Sequence, residues 1–141
     1  MIRLVRNLRR DRRGASAIEF ALVSPLLILI IVGIAQMGTL YLSHAGLRNL
    51  VADSARFAAI SPRPCDAAIK ARLGSGGFGL ATSQLSQPIV TYGSQDNVNW
   101  ADIEQRYTVQ LNFVFWQPAP MQLTERRRVY IYPANTACPS T

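Results

Sequence analysis

FALVSPLLILIIVGIAQMGTLYL, residues 20–42, decides how the rest of the chain is read. From Phe20 to Ala35 the apolar run is interrupted only by Ser24, Pro25 and Gly33, and Leu40 to Leu42 extend it past Gln36 and Thr39. Roughly 20 such residues suffice for a helix to cross the hydrocarbon core of a bilayer, so a spanning helix is expected here. Six arginines precede the run, Arg3, Arg6, Arg9, Arg10, Arg12 and Arg13, against the single carboxylate of Asp11; six minus one is +5 of the chain's +7. Arg9, Arg10, Arg12 and Arg13, closest to the apolar run, set the expected orientation: N-terminus in the cytoplasm, C-terminal portion exported. The high pI belongs to this arm, so overall charge does not point to a nucleic-acid partner.

The helical pattern continues beyond the apolar run to Ile60, where Ser61, Pro62 and Pro64 stop it. Leu47, Leu50, Val51, Phe57 and Ala58 recur at spacings of three and four, while Asn49, Asp53 and Arg56 fall on the opposite side. The expectation is one long helix over residues 15–61, transmembrane to about residue 42 and amphipathic outside. At 1.5 Å per residue it would be about 70 Å long. Pro25 is expected to kink it, because proline removes one backbone hydrogen bond and crowds the preceding turn.

An ordinary secretory signal would be cut at a small-x-small site beyond its apolar stretch, and Gly33-Ile34-Ala35 offers one. Glu19 argues for a different signal. It stands at the very start of the apolar run, where a carboxylate is costly and needs a partner. The order is Arg12-Arg13-Gly14, then Ala15-Ser16-Ala17-Ile18-Glu19-Phe20-Ala21-Leu22-Val23, then Pro25-Leu26-Leu27 and Gly33-Ile34, with Ala55-Arg56-Phe57-Ala58 further on. A glycine with a glutamate five residues later, ahead of a membrane helix, resembles the prepilin signal of the type IV filament superfamily. With the proline, the aromatic after the glutamate and the distal Ala-Arg-Phe-Ala segment, residues from about Arg12 to Ile60 resemble the TadE-like family, pseudopilins of the tight-adherence (Tad, Flp-type) pilus system.

The resemblance implies cleavage between Gly14 and Ala15, which removes residues 1–14 as a basic leader and makes Glu19 the fifth residue of the mature chain. It implies that Glu19 pairs with the α-amino group of a neighbouring subunit and so fixes axial register. It also implies the partners: a prepilin peptidase, other Tad pseudopilins, the major pilin and inner-membrane platform proteins. The implied location is the bacterial inner membrane, single-pass, with entry into the pilus after assembly open.

Residues 62–141 are expected to form a small exported domain. Asp66 to Leu73 reads as a short helix closed by Gly74. Gly74-Ser75-Gly76-Gly77-Phe78-Gly79 satisfies GxGxxG in form, but it follows a helix where a dinucleotide site needs a preceding strand, so it reads as a flexible loop. Tyr107 to Phe115 alternates as a half-buried strand, with Arg127 to Tyr132 and Ile89 to Tyr92 as further strands of an antiparallel meander. The fold class is therefore α+β, with the long helix packed on a small antiparallel sheet.

Cys65 and Cys138 flank this domain with no zinc-like spacing, and in an exported domain a disulfide between them is expected; two reduced thiols are the alternative. His44 reads as a solvated or helix-packing residue. Asp102 and Glu104, with no nucleophile or metal partner in view, read as solvent-facing, and Arg126 to Arg128 as a solvated strand edge. Neither catalysis, a cofactor, a metal nor a small-molecule substrate is expected. Two other readings stay open: a membrane-anchored exported binding domain that no prepilin peptidase processes, and a periplasmic protein cleaved after Ala35.

Overall fold

The computed structural model describes residues 14–60, 65–113 and 115–131. Helix α1 (Ala15–Ile60) runs without a break and is followed by α2 (Asp66–Gly74), a 3-10 turn (Thr82–Gln84) and three strands, β1 (Ile89–Gln95), β2 (Val98–Val109) and β3 (Met121–Ile131). The strands form one antiparallel sheet in the order β1-β2-β3. This is the expected α+β architecture.

The two ends of α1 meet different surroundings. Its C-terminal half follows the expected face: Leu47, Leu50, Val51, Ala55 and Ala58 are buried and Phe57 half-buried, while Asn49, Asp53 and Arg56 are exposed. The sheet meets this face with alternate residues of β2, since Ala101, Ile103, Gln105, Tyr107 and Val109 point inward. Near the C-terminal end of α1, Leu50, Val51, Ala55 and Ala58 pack with Ala101, Ile103, Ile131 and the α2 residues Ile69 and Leu73. Nearer the middle of α1, Leu47 packs with Tyr107, Val109 and Leu111, joined by half-buried Leu40 and Phe113. The twelve residues of β2 extend about 40 Å. That nearly equals the roughly 36 Å of helix from Gln36 to Ile60.

The strand boundaries differ from the expected ones. The alternation read at Tyr107 to Phe115 holds as a pattern of burial as far as Phe113, but Phe115 is exposed, pairing ends at Val109, opposite Met121, and Val114 lies outside the described residues. β2 instead begins at Val98. Its first half was hidden by Asp102, Glu104 and Arg106, which occupy the outward positions. The signal available in the sequence was Asp96-Asn97: both residues adopt positive φ, 53° and 62°, and join Gln95 to Val98 in a two-residue hairpin whose turn has the twist that strands favour. β3 starts six residues before the expected Arg127, and β1 extends beyond Tyr92 to Gln95.

α2 matches its expected span. Lys70 reaches back one turn to Asp66 at 2.6 Å, and the Arg72 guanidinium lies 5.3 Å from the Phe57 ring centre on α1. Tyr92 of β1 donates a long hydrogen bond, 3.5 Å, to Asp66 Oδ1. Burial, followed by the Asp66 charge, pushes the Tyr92 phenol up to about 12.

The glycine-rich segment is a loop, but it is docked rather than flexible. A Cβ on Gly46 would stand 2.2 Å from the Phe78 carbonyl oxygen, so only glycine lets the loop lie this close to α1. Gly79 takes φ +78° and its carbonyl accepts a 3.2 Å hydrogen bond from Ser43 Oγ. Replacing Gly46 with Val is expected to lower the stability of the detergent-solubilised chain by about 1–3 kcal/mol, read as an earlier denaturation midpoint. An unchanged midpoint would contradict the close approach.

Asp102 corrects a second expectation. It is not solvent-facing: its side chain is 3% exposed on the outer face of the sheet. Directly across the ladder, Arg128 donates from Nε to Oδ1 and from Nη2 to Oδ2, both at 2.8 Å, and Arg126 adds a further bond to Oδ2. The same Arg128 lies 4.0 Å over the Trp100 ring. Two of the three arginines read as a solvated edge thus clamp a carboxylate. Glu104 is half-buried and is held by Arg106, at 2.7 Å from its Nη2.

Hydrogen bonding from Arg128, then from Arg126, outweighs the opposing effect of burial and holds the Asp102 carboxyl down to about 2. Because the folded value lies below that of an unfolded aspartate, the clamp contributes fully above about pH 4 and its contribution fades as pH falls toward about 2. Asp102→Asn is expected to cost about 2 kcal/mol at neutral pH, and to flatten the loss of stability between about pH 4 and 2. Denaturation midpoints measured across that range would check both effects; equal acid sensitivity of the two proteins would contradict the assignment.

Candidate functional site

With no cluster of His, Cys, Asp and Glu able to hold a metal among the described residues, the surface that stands out is the N-terminal half of α1. Among the described residues one helix is long and apolar enough to cross a membrane, and none of its most apolar window is buried by the other described residues. Ile18, Phe20, Leu22, Val23, Leu26, Leu27, Ile30, Ile31 and Ile34 are all largely exposed on every side of the helix. A monomeric soluble domain rarely leaves so large a continuous apolar surface uncovered, because each such side chain gives up about 1.5–3 kcal/mol of burial.

Gly14 is the exposed residue directly before this helix, and Glu19 lies in its second turn, also exposed. Glu19 has no salt bridge to any described residue; its nearest structural context is the apolar surface of Ile18, Phe20, Leu22 and Val23. Four residues separate Ala15 from Glu19, which places the carboxylate about 6 Å along the axis from the start of the helix. Arg9, Arg10, Arg12, Arg13 and Cys138 lie outside the described residues. Cys65 precedes α2, where its carbonyl accepts the backbone N–H groups of Ala68 and Ile69 at 3.1 and 3.2 Å.

Pro25 sits inside α1 without ending it. Its ring nitrogen has no proton for the carbonyl of Ala21, four residues back. Ser24 Oγ donates a long bond, 3.4 Å, to that same carbonyl. A neighbouring hydroxyl supplying the missing donor is the device by which an apolar helix tolerates proline away from water. The Ser24-Pro25 pair is therefore self-consistent in a lipid setting.

The boundary between the uncovered and covered halves of α1 is marked by Gln36. Its Nε2 donates to the Asn112 carbonyl, in the β2–β3 connection, at 2.8 Å. From Leu40 onward the helix is packed under the sheet. The apolar run itself extends to about residue 42, and a single glutamine within it carries no signal of what it contacts 76 residues away.

Comparison with curated proteins and with solved structures returned no match. The family model described as TadE-like protein matches residues 14–56. The matched segment begins at the glycine before the helix, contains Glu19 and Pro25, and runs through Gln36 to Arg56 on the docked half. Over residues 14–56, most of α1, the chain is similar to the TadE-like family.

Proposed function

We propose that the protein is a minor pilin or pseudopilin of a Tad (Flp-type) pilus machine, acting in assembly, initiation or tip formation. In this reading the basic N-terminus is cytoplasmic, the N-terminal half of α1 crosses the bacterial inner membrane once, and the sheet domain is exported. A prepilin peptidase cuts between Gly14 and Ala15. The helix then packs with other pseudopilins, the major pilin and the platform proteins.

The observation that carries the reading is the division of α1. One half is buried by the sheet, and the other half, inside the TadE-like match, is apolar on all sides with one carboxylate near its start. An anchor needs only the apolar surface. A carboxylate at the bilayer centre costs about 3 kcal/mol, less near the interface, and a neighbouring α-amino group offsets that cost. With Glu19 four residues from the new N-terminus, such a pair is formed when adjacent helices are displaced by about 6 Å along their axes. A lone contact of this kind is a register device, since sliding the helices leaves both charges unpartnered.

Intact-mass measurement on protein from its native host is expected to give a chain starting at Ala15, and a chain retaining residues 1–14 in a strain lacking the prepilin peptidase. The same mass in both strains would refute processing; an N-terminus at Gln36 would identify secretory cleavage. Glu19→Ala is expected to insert normally while lowering pilus assembly more than about tenfold, as loss of a buried ion pair costs several kcal/mol. Wild-type piliation would remove Glu19 from the mechanism.

An exported location also favours a Cys65–Cys138 disulfide. β3 ends at Ile131, in the same cluster as Ala58 of α1 and Ile69 of α2, so the last described residue lies beside the helix that Cys65 precedes. Seven residues reach roughly 20 Å, ample for the bridge. Protein purified without reductant is expected to lack free thiols, and reduction is expected to destabilise it by about 4 kcal/mol through the freed loop entropy. Two alkylatable thiols in the untreated protein would exclude the bridge.

A further inference from the structure

Between Gln110 and Gln122 the sequence contains no charged residue, and this stretch is the connection that leaves β2 and returns as β3. It is a built turn. Phe113 N–H donates to the Trp116 carbonyl at 3.0 Å and Trp116 N–H to the Phe113 carbonyl at 3.3 Å. The two rings stack with centres 5.9 Å apart, and Gln117 Nε2 donates to Asn112 Oδ1 at 2.6 Å. Despite this order, Phe115 is 80% and Trp116 66% exposed. An ordered loop that presents aromatic rings outward, without a charge nearby, is shaped for a surface that is part apolar and part wet.

Its position says which surface. The Gln36–Asn112 hydrogen bond fixes the loop against α1 where the uncovered apolar half ends. From Ala15 to Gln36 the helix rises about 32 Å, close to the roughly 30 Å thickness of a bilayer core. Tyr41, 73% exposed, stands about 8 Å further along the same helix. The opposite end of the sheet is remote: the β1–β2 hairpin residues Val98 and Asn99 border a hollow with Ala59, about 35 Å along α1 from Gln36.

We propose that the β2–β3 connection is a second membrane contact, in which Phe115 and Trp116, the latter backed by Phe113, seat in the headgroup and acyl boundary of the leaflet from which α1 emerges. The proposal rests on the reading that α1 spans the bilayer. A single helix leaves its domain free to tilt and to rotate about the helix axis. A second contact beside the helix fixes both, so the sheet domain is held at one height and one tilt before any subunit packs against it.

The test uses the full chain reconstituted into phosphatidylcholine and phosphatidylglycerol vesicles whose acyl chains are brominated near the carbonyl end. Trp100→Phe leaves Trp116 as the reporter, and Trp116→Phe leaves Trp100, near the remote hairpin, as the control. Trp116 emission is expected to fall at least about twofold relative to unbrominated vesicles, as for an interfacial tryptophan, with Trp100 unchanged. Flotation and resistance to alkaline extraction report the span separately. A chain that floats and resists extraction but whose Trp116 is unquenched would overturn the second contact and leave the span standing. Trp116 shielded from water yet unquenched, and only at high protein-to-lipid ratio, would assign the loop to another copy of the chain and equally overturn it. A chain that does not float would remove both readings.

Discussion

The docking of one face of α1 onto the inner face of β2 is the constraint on which everything else in the molecule depends. Leu47, Leu50, Val51, Ala55 and Ala58 meet Ala101, Ile103, Tyr107 and Val109 along nearly the full length of the strand. A sheet of only three strands cannot form a core by itself, and neither can half a helix. Each supplies the other's missing layer. Since β2 and the C-terminal half of α1 have matching lengths, the contact ends where the strand ends, and that sets where the apolar half of the helix becomes free.

The remaining contacts maintain this docking. α2 closes one end through Ile69 and Leu73, while the glycine-rich loop crosses α1 at Gly46, where any side chain would force it away. On the outer face the sheet is held by polar contacts. Asp102 gathers Arg128 and Arg126 from the neighbouring strand, and Arg128 also covers the Trp100 ring. Such an arrangement keeps the outer face charged and therefore soluble, yet still couples β2 to β3 at the strand centre.

One helix thus presents two kinds of surface. In the docked half an apolar face is answered by the sheet; in the other half the apolar surface runs all the way round, as a bilayer or a bundle of similar helices requires. The two halves meet at Gln36, where a side chain leaves the helix to bind the backbone of the β2–β3 connection. In the proposed role the membrane-facing and subunit-packing readings are compatible, because lipid would cover the surface before assembly and neighbouring helices after it.

The sequence by itself determined the long helix, its amphipathic half, the glycine and glutamate that precede and open the apolar run, the short second helix and the class of the fold. These are local or periodic properties, written in residues that are neighbours along the chain. It also carried the hairpin in Asp96-Asn97, a turn signal that the charges of β2 overshadowed. Only the tertiary structure decided that Asp102 is buried, that the glycine loop is pinned on Gly46, that β2 begins at Val98, and that an aromatic loop lies beside Gln36. Each of these depends on a partner far away in sequence: Arg126 and Arg128 for the carboxylate, the Phe78 carbonyl for the glycine, Asn112 for the glutamine. Periodicity reports which face a residue occupies, and carries no information about which group will be waiting there.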